Sequence, residues 1–127
     1  MKKILLDTSF VVKCAEYHID LFSELERVCL FPYELCYFNK TLDELDAVAR
    51  QGGKERAFAK LARKFLERAT VIPGSKCSIV DELILDYLQK NKECVVATHD
   101  SALKKMVLGQ KIPVVIIRQQ KYLVFQG

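Results

Sequence analysis

The sequence lacks the features that would place it in a membrane or in an oxidising compartment. Its 127 residues contain no apolar run near the roughly 18 residues that a membrane-spanning helix needs, and the N-terminal segment has no apolar signal-peptide core. The five cysteines form no C-x-x-C pair and lie mostly among apolar neighbours, which favours reduced, buried thiols over a zinc site. We therefore expect a cytoplasmic protein that does not enter a membrane.

Glycine-rich loops and repeats are missing too. The five glycines form no phosphate-binding loop, which disfavours a nucleotide-binding enzyme. The chain has no internal repeat, low-complexity tract or linker, and its length is that of one domain able to bury its own core. We therefore predict a single domain over residues 1–127.

Charged residues are unevenly distributed, although the net charge is only +4. Residues 1–49 and 69–100 are acidic overall, whereas residues 50–68 and 101–127 are basic overall. A carboxylate cluster surrounded by Lys and Arg would suit a polyanion whose reacting phosphate meets a metal ion. Solvated helix faces would give the same pattern, so charge alone does not separate the two interpretations.

Short apolar strands alternate with helical patterns along the whole chain. The predicted strands cover residues 3–6, 35–38, 69–72, 94–97 and 113–117, and an edge strand covers residues 122–125. The predicted helices cover residues 8–17, 20–29, 41–50, 54–68 and 79–90, and a short last helix ends at Gly109. In helix 54–68 the residues expected to face the core are Ala57, Phe58, Leu61, Ala62 and Phe65. The alternation is typical of a three-layer α/β/α domain with a mainly parallel sheet.

Four acidic residues stand at equivalent places in this scheme. Asp7 follows the first strand and Asp100 follows the fourth. Glu44 and Asp81 lie in the first turns of the helices that follow the second and third strands. Because these helices begin at the carboxyl edge of a parallel sheet, we expect all four acids at that edge, where ligands bind in such folds.

Helix capping offers an alternative explanation for each acid. Thr41 and Ser78 can begin helices as the first members of capping boxes whose fourth members are Glu44 and Asp81. Asp7 and Asp100 are suitable N-cap residues. Capping and ligand binding therefore both remain open for these four positions.

Helical phase distinguishes Asp81 from its neighbour Glu82. The apolar face of helix 79–90 is centred near Val80 and Ile84, and Asp81 lies at its border, whereas Glu82 points away from it. A carboxylate beside an apolar face needs a partner to offset its desolvation, and a metal ion would serve. The phase therefore favours Asp81 as the site residue.

Oxygen ligands without nearby cysteine favour Mg²⁺ or Mn²⁺, as one ion or two. Such an ion lowers the pKa of a bound water and neutralises charge on a phosphodiester. Hydroxyls that could orient the carboxylates belong to Thr8, Ser9, Thr98 and Ser101. Candidate phosphate contacts, for which solvated surface is the competing explanation, are Lys54, Arg56, Lys104 and Lys105.

These motifs resemble those of PIN domains, the metal-dependent ribonuclease fold. The matching segments are Ile4-Leu-Leu-Asp7-Thr8-Ser9, Thr41-Leu-Asp-Glu44-Leu45, Val80-Asp81-Glu-Leu-Ile84 and Val96-Ala-Thr98-His-Asp100-Ser-Ala-Leu103. The resemblance implies a sheet ordered 3-2-1-4-5 and a metal-binding set of Asp7, Glu44, Asp81 and Asp100. His99 departs from the small polar residue common there, and its surface position is more expected than an RNA contact.

The resemblance implies a divalent-metal-dependent endoribonuclease that acts on single-stranded or looped RNA. The C-terminal segment is similar to the branch of small-subunit rRNA-processing nucleases, and VapC-type toxins share the same core, so a pre-ribosomal particle and an antitoxin are both candidate partners. Homodimers are common in the family. The alternative is a non-catalytic RNA- or protein-binding module, such as a ribosome-assembly factor.

Two further readings are disfavoured by the residues themselves. A dehalogenase-type phosphotransfer site needs a second Asp two residues after Asp7, where Ser9 stands. The aromatic residues lie mostly at core positions of the predicted elements, so a base-stacking platform is not expected.

Overall fold

Six strands and six helices alternate along the chain in the computed structural model, which describes residues 1–75 and 77–127. The strands are β1 (Lys2–Leu6), β2 (Tyr33–Phe38), β3 (Thr70–Ile72), β4 (Cys94–Ala97), β5 (Val114–Arg118) and β6 (Tyr122–Gln126). The helices are α1 (Thr8–Glu16), α2 (Leu21–Val28), α3 (Lys40–Ala49), α4 (Gly53–Leu66), α5 (Val80–Lys90) and α6 (Ser101–Gly109). Each predicted strand and helix is present, with ends that differ by a few residues at most.

The strands form one sheet in the order β3-β2-β1-β4-β5-β6. The predicted order of the first five strands is confirmed, and all of their pairings are parallel. The sixth strand pairs antiparallel with β5 at the edge, as expected. Leu5 of the central strand β1 lies opposite Cys36 on one side and Val96 on the other, so β1 is enclosed by neighbours on both sides.

Alternation along β1 divides the core between the two faces of the sheet. Ile4 and Leu6 pack into a cluster with side chains of α1 to α4, including the fully buried Phe10. Leu5 points to the opposite face and packs with side chains of α5 and α6 such as Ile84. Burying a side chain of this size contributes about 1.5–3 kcal/mol. The two clusters confirm the three-layer architecture.

At the outer edge of β6, the backbone of Leu123 is bound by an ion pair from α2. The Leu123 N–H donates to Glu24 Oε1 at 2.9 Å, and Arg27 Nη2 donates to the Leu123 carbonyl at 2.8 Å. The same two side chains bind each other at 2.9 Å. Backbone groups of an edge strand that are satisfied in this way cannot pair with another chain.

Helix α4 buries only part of the face predicted for it. Its buried residues are Ala59, Ala62 and Leu66, so the prediction for Ala62 is confirmed, and Phe65 packs against the core. Ala57 and Leu61 are exposed, and the prediction was wrong for these two residues because the buried stripe is centred on Ala59 and Ala62. The small residues on this helix allow close packing against α1 and α3, and the two phenylalanines lie half-buried at its margins.

Two predicted helix caps are also wrong. Helix α3 begins at Lys40 after Asn39, so Thr41 lies inside its first turn, and its buried hydroxyl has no hydrogen-bond partner among the described residues. Helix α5 follows Ile79 rather than Ser78, and the Val80 N–H is satisfied from outside the helix. At the start of α5, the Glu44 carboxylate therefore takes the place of the predicted Ser78 cap.

The cysteines are free thiols, of which only Cys77 is exposed. Burial raises the pKa of Cys14 to about 12, which keeps that thiol protonated at neutral pH. Among the described residues, no helix combines the length and the apolar character that crossing a bilayer requires.

Candidate functional site

Asp7 lies at the carboxyl end of β1, where it is 2% exposed. Its Oδ2 accepts hydrogen bonds from the hydroxyls of Ser9 and Thr98, both at 2.7 Å. Although Asp7 occupies the N-cap position of α1, its side chain makes no capping bond. Burial raises the pKa of the Asp7 carboxyl, and the two hydroxyl bonds oppose that rise. The carboxylate is therefore fixed between β1 and β4 by neighbouring side chains rather than used as a helix cap.

Glu44 connects three helices at the same edge. Its Oε1 accepts a hydrogen bond from the Thr8 hydroxyl of α1 at 2.7 Å, and its Oε2 accepts one from the Val80 N–H of α5 at 3.0 Å. A capping box with Thr41 does not form, because Glu44 reaches the first turns of two other helices instead. Glu44 is therefore fixed in position beside Asp7.

The structure confirms that Asp100 is the N-cap of α6. Its Oδ1 accepts hydrogen bonds from the N–H groups of Ala102 at 2.8 Å and Leu103 at 3.0 Å, in the first turn of α6. The Asp100 N–H in turn donates to the Thr98 hydroxyl at 3.0 Å. Since the cap uses only Oδ1, Oδ2 is left for a ligand, and capping and ligand binding are compatible at this position.

Asp81 lies half-buried in the first turn of α5, whereas the neighbouring Glu82 is exposed. The pKa of Asp81 is raised to about 6, first by burial and then by the negative charges of Asp7 and Asp100, with a smaller effect from Glu44. A charge effect of this kind requires the four carboxyl groups to lie near one another. Asp81 therefore lies near Asp7 and Asp100, and its neighbour Val80 binds Glu44.

The predicted hydroxyl residues divide into two groups. Thr8, Ser9 and Thr98 each donate to one of the acids. Ser101 lies exposed in the first turn of α6 and lines a shallow cleft of about 160 Å³ beside Asp100. The three bonded hydroxyls hold the carboxylates in place, and Ser101 faces solvent.

The predicted phosphate contacts do not form one cluster. Lys104 lines the cleft beside Asp100, and Lys105 is exposed on the same helix. Lys54 lines a separate hollow with Glu16 and His18, whereas Arg56 is exposed and donates to the Ala49 carbonyl at 3.4 Å. Only Lys104 therefore lies in a cleft that an acid of the site also lines.

The donor set fits a hard divalent cation. Among the described residues, no group of three or more His, Cys, Asp or Glu side chains is arranged so that it could hold a metal ion. Mg²⁺ does not need such a group, since it keeps several waters and is held by one or two carboxylates together with phosphate oxygens. The bonds above use Oδ2 of Asp7 and Oδ1 of Asp100, and a further hydrogen bond joins the side chains of Asp7 and Asp81.

The bond between Glu44 and Val80 could not be found from the sequence, because the two residues are 36 positions apart and no local pattern joins them. The spacing from Thr41 to Glu44 instead suggested a cap within one helix. The acidic character of Glu44 was the only indication in the sequence that this residue could make such a contact.

The chain is similar to known proteins in sequence and in fold. The chain is 30% identical over 125 residues to ribonuclease VapC4 of Methanocaldococcus jannaschii, a match that covers 96% of this chain and 95% of that protein. Its fold is similar to that of the PIN domain endonuclease Utp24, with a TM-score of 0.78 and 24% identity over 97% of this chain and 90% of that one. It is also similar to a chain of Rickettsia felis VapBC2 bound to a promoter DNA fragment, with a TM-score of 0.59 and 15% identity over 91% and 99% of the two chains.

The two structural likenesses, both under 25% identity, concern the fold alone. The family described as PIN like domain matches residues 4–120, a span that contains all four acids and the parallel strands β1 to β5 apart from the first two residues of β1. The chain therefore belongs to the PIN-like domain family.

Proposed function

We propose that this protein is an endoribonuclease that hydrolyses RNA phosphodiester bonds with Mg²⁺ or Mn²⁺ bound at the carboxyl edge of the sheet. The observation that supports the proposal is that Asp81 lies near Asp7 and Asp100, while the Ser9 and Thr98 hydroxyls hold Asp7. Glu44 is held nearby by the Thr8 hydroxyl. The name of the M. jannaschii relative, ribonuclease VapC4, supports RNA as the substrate.

Each acid has a distinct part in this proposal. Asp7, Asp81 and Asp100 present oxygens to the cation, and Glu44 joins them from the position that Thr8 and Val80 fix. When bound, the ion would neutralise charge on the phosphodiester and lower the pKa of a water molecule. The proposal leaves open whether one ion or two are used.

Other groups of the chain favour an anionic substrate at this edge. Helices α1, α5 and α6 begin beside Asp7, Asp81 and Asp100, so their N-terminal partial positive charges lie on the side of the sheet where a phosphate would enter. Lys104 lines the cleft next to Asp100 and can reach a neighbouring phosphate. Contacts with more distant phosphates of the RNA are proposed for Lys54, Arg56 and Lys105.

A matched pair of variants tests the proposal. Asp81→Asn should abolish Mn²⁺-dependent cleavage of single-stranded RNA, whereas Glu82→Gln, a change of similar size at the exposed neighbour, should leave it unchanged. Asp7→Asn should also reduce Mn²⁺ binding measured by calorimetry. The proposal is wrong if the purified protein leaves varied RNAs intact with Mn²⁺ and Asp7→Asn binds the metal as the unaltered protein does.

The alternative is a non-catalytic RNA- or protein-binding module, such as a ribosome-assembly factor. It predicts RNA binding that persists in EDTA, without cleavage under any metal condition. Clustered carboxylates oppose that reading, since a module that only binds RNA gains nothing from concentrated negative charge.

The partners and the compartment belong to the proposal as well. A toxin role predicts an inhibitory partner protein, and the VapC-type relative supports looking for one. A pre-ribosomal role predicts co-sedimentation with rRNA precursors. Co-expression with the product of the adjacent reading frame distinguishes the two, because only an antitoxin should co-purify and suppress cleavage. A homodimer and a cytoplasmic location are tested by light scattering and by fractionation.

A further inference from the structure

We propose that the His99 ring, braced by Tyr17, is a stacking surface for one unpaired nucleobase of the RNA strand that enters the acidic site. This inference rests on the proposed ribonuclease function and adds how the strand is held next to the carboxylates. It assigns a role to a residue whose contact with RNA the sequence did not favour.

His99 is tied to the acidic site through its backbone. The residue lies between Thr98 and Asp100, and its N–H donates to the Ser9 hydroxyl at 3.2 Å. The same hydroxyl donates to Asp7 Oδ2 at 2.7 Å. Two consecutive hydrogen bonds therefore separate the His99 backbone from the most buried acid of the site, so a base on this ring would lie near a phosphate at that edge.

The His99 side chain is accessible, and another aromatic residue supports its ring. Residue 99 is exposed although the four residues before it are buried. The ring centroids of His99 and Tyr17 are 6.0 Å apart with an interplanar angle of 76°, which is an edge-to-face pair. A ring held in this way loses less side-chain freedom when a base stacks on it than an unsupported exposed ring would.

Two lysines near the His99 and Tyr17 ring pair suit the phosphates that flank a base. The Lys13 ammonium lies 5.7 Å from the centroid of the Tyr17 ring and is paired with Glu16 at 3.2 Å. His99 and Lys104 line the same cleft of about 160 Å³ beside Asp100. Cations near an aromatic surface suit a single strand, in which phosphates flank each base.

This geometry selects the class of substrate. A base within a duplex is stacked on its neighbours and has no free face, so the platform requires single-stranded or looped RNA. Stacking on one ring is tolerant of base identity, because every base has a π-face. The platform therefore positions the strand and gives little sequence preference.

The test uses short fluorescein-labelled single-stranded oligoribonucleotides in which one base at a time is removed to leave the ribose. Binding is measured by fluorescence anisotropy with Ca²⁺ in place of Mg²⁺ or Mn²⁺, and the RNA is checked for integrity afterwards. Removing the base at one position should weaken binding about fivefold to a hundredfold. His99→Ala should weaken binding of the intact RNA by a similar factor and abolish the effect of base removal at that position.

Two further variants separate stacking from folding and from imidazole chemistry. His99→Phe keeps an aromatic ring and should restore both the affinity and the dependence on the base. His18→Asn removes the other histidine, which is exposed and has φ of 55°, and should change neither. In cleavage assays with Mn²⁺, His99→Ala should raise KM more than it lowers kcat, because a stacked base contributes to binding of substrate and transition state alike.

The outcomes distinguish this inference from the proposed function. If the protein cleaves RNA and His99→Ala binds as tightly as the unaltered protein, or if His99→Ala keeps the full effect of base removal, the platform is wrong and the ribonuclease proposal stands. If binding shows the expected pattern but no RNA is cut with Mn²⁺, the stacking role of His99 is supported and the protein is a non-catalytic RNA-binding module. If the unaltered protein does not bind single-stranded RNA, both proposals are wrong.

Discussion

Replacing Asp81 by Asn should stabilise the metal-free protein at neutral pH. The pKa of Asp81 lies about 6 in the folded protein, above the ordinary value of 3.8, because of burial and the nearby negative charges of Asp7 and Asp100. A shift of one unit corresponds to about 1.4 kcal/mol. Since Asp81 is only half-buried, solvent screening reduces the full figure, and we expect a stabilisation of about 1–2 kcal/mol.

The direction of the pH dependence follows from the raised pKa. Between the unfolded value of 3.8 and the folded value of about 6, the folded protein holds this proton more firmly than the unfolded chain does. The contribution of Asp81 to stability is therefore present at low pH and is lost as the pH rises through that window. The raised pKa of Asp7 acts in the same direction. A bound cation should remove the penalty, so Mg²⁺ should stabilise the unaltered protein more than Asp81→Asn.

Urea denaturation in EDTA measures this effect. The gain from Asp81→Asn should be largest above pH 6 and should shrink toward pH 4, and Glu82→Gln should stay within about 0.5 kcal/mol of the unaltered protein at both values. The reasoning is refuted if Asp81→Asn is no more stable than the unaltered protein above pH 6, or if Mg²⁺ stabilises both proteins equally.

Three further substitutions test separate parts of the structure. Glu24→Ala should cost about 1–2 kcal/mol in urea unfolding and speed hydrogen exchange of the Leu123 amide, which loses its partner; unchanged exchange would contradict the account of the β6 edge. Thr98→Val should raise the Mg²⁺ concentration needed for half-maximal cleavage, because Asp7 loses one of its two hydroxyl donors; an unchanged requirement would argue against that role. Asp100→Ala should lower the free energy of unfolding by about 1 kcal/mol, because it removes the α6 cap. Asp100→Asn should keep the cap and abolish cleavage. Equal stability of the two variants would contradict the distinction between the capping role and the proposed role in cleavage.

The shared edge of the acids could be predicted because it depends on chain order and not on side-chain packing. Once strands and helices alternate in a parallel sheet, Asp7 and Asp100 must follow strand ends at one edge, and Glu44 and Asp81 must begin the returning helices there. The sheet order is a different case, because it came from the family resemblance and not from periodicity.

What could not be predicted depends on contacts between distant segments. The face that α4 buries is set by how closely Ala59 and Ala62 approach α1 and α3, and helical periodicity alone placed Ala57 and Leu61 on that face instead of Ala59 and Leu66. The pairing of Tyr17 with His99 joins residues 82 positions apart, in segments without a shared motif. Long-range contacts of this kind have no signature in a single sequence.

The central claim is that folding brings four acids into one site that binds a divalent cation. A crystal grown with Mn²⁺ and measured at a wavelength where manganese scatters anomalously tests it most directly. The account predicts an anomalous peak between the carboxylates of Asp7, Asp81 and Asp100, and no such peak in Asp7→Asn. Strong Mn²⁺ peaks found only elsewhere on the molecule, or a peak at the edge that survives Asp7→Asn unchanged, would contradict it.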